Sequence, residues 1–144
     1  MAEPSSKRIL LGLTGGIAAY KSAELLRELQ RGGADIQVVM TESACQFITP
    51  VTMQALSGKP VYTGMWDNRV ANGMPHIELS RGRDLIVVAP ATADFIAKLV
   101  HGRADVLLST LCLARDCPVI VAPPMKRQMV ELPATHTAVP QLNQ

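Results

Sequence analysis

The sequence predicts an α/β chain wound on both faces of a parallel sheet, and three observations carry that reading. Short continuous apolar runs end in glycine or proline, stretches with helical spacing separate them, and a glycine pair stands directly between the first run and the first helix.

Ile9 to Leu13 is the first apolar run, of the kind a strand buried on both faces of a parallel sheet requires. From Ala19 to Arg31 the residues Ala19, Ala23, Leu26 and Leu29 recur at helical spacing. Lys21, Glu24, Arg27 and Glu28 occupy the other faces, and Gly32-Gly33 supplies the stop. Ile36 to Met40 reads as a second strand, Asp84 to Ala89 as a third ending at Pro90, and Pro118 to Ala122 as a fourth ending at Pro123-Pro124. Helical patterns lie between them, so right-handed crossovers should place helices on both sides of the sheet, in three layers. Ligands of such sheets bind outside the carboxyl ends of the strands, near the point where strand order reverses. That directs attention to Thr14–Ala18, Thr41–Phe47, Pro90–Phe95 and Pro123–Met129.

The 144 residues suit one domain, taken here as residues 1–144, and 48% apolar against 18% charged residues is a globular balance. Lys and Arg (14) barely exceed Asp and Glu (12) and are scattered, which leaves no electrostatic footprint for nucleic acid or a membrane and favours a small-molecule partner. Cys45, Cys112 and Cys117 form no CxxC pair and read as packing thiols in a reducing compartment. The start is polar, and the run Ile9–Leu13, cut by Gly12 and then Gly15-Gly16, is too short for a signal peptide. No stretch reaches membrane-spanning length, so a cytoplasmic protein is expected, and no metal is called for.

Gly15 and Gly16 let the backbone turn sharply and approach a ligand, and the helix beginning beside them aims free N–H groups and its positive dipole end at an anion. Phosphate binding follows naturally; a tight strand-to-helix turn with no ligand is the plainer alternative. A dinucleotide fold would want a third glycine and an acidic residue closing the second strand, whereas Glu42 stands one place late. A mononucleotide is therefore favoured. Thr41 and Ser43 suit either a phosphate or ribityl contact or the cap of the next helix.

Several motifs in one register carry a family resemblance: Gly12-Leu13-Thr14-Gly15-Gly16-Ile17-Ala18-Ala19-Tyr20-Lys21, Phe47-Ile48-Thr49-Pro50, His76-Ile77-Glu78-Leu79 and Ala89-Pro90-Ala91-Thr92-Ala93-Asp94. From residue 8 to about 139 the chain resembles the FMN-containing cysteine decarboxylases, in particular the phosphopantothenoylcysteine decarboxylase half of the bifunctional bacterial coenzyme A biosynthesis proteins. The resemblance implies a flavodoxin-like fold, FMN as cofactor, and a homotrimer or homododecamer with sites between subunits. It implies that Gly15, Gly16, Ile17 and Ala18 meet the phosphate end of FMN, with Thr41, Ser43, Phe47, Thr92, Ala93 and Asp94 around the rest. It makes His76 the catalytic histidine, and an unperturbed imidazole near pKa 6.5 suits proton movement at neutral pH. His101 and His136 match no catalytic position.

The resemblance also marks departures. The family's substrate motif has an asparagine and an aromatic where this sequence has Lys126 and Val130, within Pro123-Pro124-Met125-Lys126-Arg127-Gln128-Met129-Val130. Met125, Lys126 and Met129 are the substrate-binding positions that the motif implies. A lysine ammonium would hold the substrate carboxylate by charge, yet loss of carbon dioxide removes that charge, so the ground state gains more than the transition state. By the same resemblance the chain ends before the flap that carries the family's proton-donating cysteine. Three functions therefore follow in order: phosphopantothenoylcysteine decarboxylation, with altered turnover; a flavin-binding subunit or regulator without the chemistry; and decarboxylation of a peptide's C-terminal cysteine.

Overall fold

The computed structural model describes residues 7–16, 19–64 and 79–122. Four parallel strands, β1 (Arg8–Leu13), β2 (Asp35–Met40), β3 (Leu85–Val88) and β4 (Val119–Val121), form one sheet in the order β2-β1-β3-β4. Helices α1 (Tyr20–Arg31), α2 (Pro50–Ser57), α3 (Ala93–Val100) and α4 (Leu107–Leu113) occupy the connections, and a short 3-10 turn covers Ala44–Gln46. This is the doubly wound, flavodoxin-like order, and it bears out the fold read from the sequence.

The apolar run of β1 is central because it pairs on both sides: Leu10 lies opposite Gln37 of β2 and Ile86 of β3. Side chains of a strand alternate between faces, so β1 feeds two cores. Ile9, Leu11 and Leu13 pack with Leu26 of α1, Met53 of α2 and Val38 and Met40 of β2. Leu10 packs on the opposite side with Ile86, Val88, Phe95, Ile96, Leu107 and Leu108. Each fully buried leucine contributes about 1.5–3 kcal/mol, so β1 anchors both helical layers. Gly12 belongs to the second face, where an added Cβ would lie 2.5 Å from Leu108 Cδ1. The glycine that interrupts the apolar run therefore lets α4 settle directly on the sheet.

Helix α1 begins one residue later than the periodicity predicts, and the buried Ala19 ahead of it donates its N–H to Gly16 O. Its buried Ser22 donates to Ala89 O at 2.5 Å, tying the helix to the end of β3. At the other end Gly33 takes a positive φ of 90°, as the expected glycine stop requires. Strand β4 departs from the buried pattern: it pairs with β3 alone among the described residues, and Ile120 is 52% exposed. The cysteines divide in the same way. Cys112 is buried on α4, with its thiol pushed up to about 12 by desolvation, whereas Cys45 and Cys117 are only partly covered. All three are free, and among the described residues no helix is long and apolar enough to cross a membrane.

Candidate functional site

The chain runs from β1 to β2 on one side and reaches β3 on the other, so strand order reverses between β1 and β3. The loops leaving these two strands must part at their carboxyl ends, and a cleft of about 480 Å³ opens there.

Thr14 is what joins the loops. Its hydroxyl donates to Pro90 O at 2.7 Å and accepts from the Thr92 N–H at 2.8 Å, while its own N–H donates to the same Pro90 oxygen at 3.1 Å. At 2% exposure the side chain is saturated by protein partners and acts as a rivet. Gly15 and Gly16 follow it along the cleft wall. A Cβ on Gly15 would stand 2.7 Å from Ser43 Cβ, so only glycine lets the first turn nest against the loop after β2.

The hydroxyls of that second loop are placed differently. Thr41 Oγ1 accepts from the Ala44 N–H at 3.2 Å and caps the 3-10 turn. Ser43 makes no side-chain cap bond, which leaves its hydroxyl for the cleft it lines. Phe47 closes the turn and stays 51% exposed at the cleft, an aromatic surface of the kind that covers a planar ligand. Cys45, between them, has its thiol pushed upward by burial and then by the Glu42 charge, away from the thiolate form.

The third wall is the start of α3. Thr92 accepts the Phe95 N–H at 3.2 Å as helix cap, and Asp94 lines the cleft from the first turn. Ala93 is exposed beside the cleft without belonging to its lining. Seven sequence-predicted residues thus meet in one cavity: Gly15, Gly16, Thr41, Ser43, Phe47, Thr92 and Asp94. Ile17, Ala18, His76, Met125, Lys126 and Met129 lie outside the described residues, as do Val130 and His136. His101 ends α3 as an exposed cap.

Sequence reasoning missed Lys98 and Val106, and it gave no role to Glu42 and Phe95 although they fall in the segments it singled out; all four line the cleft. Glu42, one place late for a ribose, is carried into the cavity by the 3-10 turn. Lys98 had a readable signal, since it follows Asp94 by four residues and shares its helix face. Its Nζ lies 3.0 Å from both carboxylate oxygens of Asp105, whose carboxyl this hydrogen bond holds below the usual range.

A cleft at the switch point of a doubly wound sheet, with a glycine turn beneath it, defines a nucleotide-binding α/β protein as the class. The chain belongs to the flavoprotein family, whose model matches residues 2–144. It is 51% identical over 139 residues to the coenzyme A biosynthesis bifunctional protein CoaBC of Vibrio vulnificus, which covers 96% of this chain and 35% of that protein. The chain therefore spans about a third of the length of the curated relatives it matches. Among solved structures it is similar to the FMN-dependent cysteine decarboxylase SpaF, with 33% identity, a TM-score of 0.87, and coverage of 94% of this chain and 78% of that one. It is also similar to a PPC decarboxylase mutant, with 30% identity, a TM-score of 0.84, and coverage of 96% and 82%.

Proposed function

We propose that the chain binds FMN in the switch-point cleft and decarboxylates 4'-phospho-N-pantothenoylcysteine to 4'-phosphopantetheine, a step of coenzyme A biosynthesis. The observation that carries the reading is the nest of Gly15 against Ser43. It is a cradle that a single Cβ would fill, it lies beside the Ser43 hydroxyl, which makes no cap bond, and it sits where a flavodoxin-like sheet receives a mononucleotide. The residues present fit the group: Gly15 and Gly16 offer close backbone approach to its phosphate, Ser43 a hydroxyl, and Phe47 an aromatic face.

Bound FMN supplies the two-electron chemistry that makes the substrate's carboxylate a leaving group. The chain's own part is to hold and orient. Thr14 fixes the spacing of the two loops, so the turn is preorganised before any ligand arrives. His76 moves the proton at neutral pH. Lys126, with Met125 and Met129, receives the substrate's carboxylate end and slows its departure by charge. Ile17, Ala18 and Ala93 complete the flavin contacts.

Similarity in fold to the FMN-dependent cysteine decarboxylase SpaF and to the PPC decarboxylase is nearly equal, with TM-scores of 0.87 and 0.84, so fold does not choose between the two substrates the sequence suggested, a peptide's C-terminal cysteine and a pantothenoyl one. The 51% identity to a coenzyme A biosynthesis protein favours the latter. The half-exposed Phe47 supports a homo-oligomer in which a second copy covers the cleft, and cytoplasmic residence belongs to the same proposal. Carbon dioxide released from the pantothenoyl substrate by the FMN-loaded chain tests the reading. Release above an FMN-only blank and above that from a cysteine-ended peptide supports it; release no greater than the blank overturns it.

A further inference from the structure

The residues that line the cleft carry an uneven charge. Glu42 and Asp94 bring two carboxylates to a cavity that, on the reading above, receives a phosphate, and Lys98 is the lone cation among the described residues lining it. Lys98 is also held rather than loose. Its side chain is 18% exposed, and its Nζ is shared evenly by the two oxygens of Asp105 at 3.0 Å each. Asp105 itself faces the adjoining cavity with Thr41, Glu42 and Val106, so the ion pair stands in the wall between two hollows, with its cationic end on the flavin side. A charge on the cleft wall acts on an anion bound in the cleft, because partly buried charges are screened by salt much less than exposed ones.

Resting on the flavin reading, we infer that Lys98 is a specificity-determining residue: it offsets Glu42 and Asp94 and makes the cleft prefer a phosphorylated flavin over an unphosphorylated one. Asp105 opposes it, holding the ammonium in place while cancelling part of its field. The two partners of one ion pair therefore have opposite effects on phosphate affinity. A pair that merely braced α3 against the loop before α4 would give effects of the same sign, since either substitution breaks the same contact.

The test titrates FMN and riboflavin into the apo chain, followed by flavin fluorescence, for wild type, Lys98→Met, Lys98→Arg and Asp105→Asn. Removing the cation should weaken FMN binding about tenfold at low salt, as one unit charge in a partly screened cleft implies, and leave riboflavin within about twofold. Lys98→Arg should keep the preference for FMN, Asp105→Asn should strengthen FMN binding, and 0.5 M salt should shrink both effects. If Lys98→Met and Asp105→Asn weaken FMN and riboflavin alike, the pair is a brace and the assignment falls. Should Lys98→Met fail to fold, Lys98→Gln reads the same charge loss. Wild-type protein that binds neither flavin overturns the flavin reading itself. Wild-type protein that prefers FMN, with the preference unchanged in both neutralised variants, overturns only the role of Lys98.

Discussion

Two parts of the cleft's lining are built on different physics. One, formed by the turn after β1 and the loop after β3, is held by backbone and by a buried hydroxyl: Thr14 at 2% exposure bonds both Pro90 and Thr92, and Gly15 sits where no side chain fits. The other, formed by α3 and the residue ahead of α4, is held by a charged pair with Asp105 47% exposed. Burial fixes position and water screens charge, so the first wall sets whether a ligand fits and the second sets which charge it prefers.

Breaking the first wall should have the largest effect. Gly15→Ala drives a methyl into Ser43 and shifts the loop after β2, and FMN affinity should fall about a hundredfold, roughly 2.7 kcal/mol, in a fluorescence titration. Thr14→Val keeps the shape but strands the Thr92 N–H, and should cost about 1–3 kcal/mol in urea unfolding, with Thr14→Ser restoring most of it. The reacting end is a separate matter. Lys126→Asn should raise the carbon dioxide release rate several-fold, about 1 kcal/mol of barrier, with flavin content unchanged; an unchanged or lower rate refutes the ground-state argument.

The smallest effect belongs at the amino end of β2, away from the cleft, where Lys59 bonds the Asp35 carboxylate, each side chain about a third exposed. That hydrogen bond holds the Asp35 carboxyl below its usual range. A carboxyl lowered on folding adds stability above its unfolded pKa and loses it as pH falls through the folded one. Asp35→Asn should therefore cost under about 1 kcal/mol at pH 7 and progressively less as pH falls into the acid range, by thermal unfolding across that series.

The same division explains what the sequence let a reader see. The strands and the glycine turn were legible because each is a local event: an apolar run, a glycine or proline stop, a helical period. Gly12 was legible only as an interruption, because its reason, Leu108, lies across the core. Thr14 was read as part of a ligand turn, and its bonds to Pro90 and Thr92 join residues 76 and 78 positions away, beyond any local pattern. Thr41 and Ser43 offered the same chemistry on paper and both line the cleft; only the structure shows that Thr41 Oγ1 accepts the Ala44 N–H while Ser43 makes no side-chain cap bond. Lys98 shows a periodicity left unused, since its spacing from Asp94 already placed both on one helix face.

The central claim is that the cleft between the β1 and β3 loops is the flavin site. Titration of FMN into the apo chain beside its Gly15→Ala variant tests it most directly. One flavin bound per chain by the wild type, with binding nearly lost in the variant, is the expected result; equal binding by both would place the flavin elsewhere, and none by either would remove it from the protein's function.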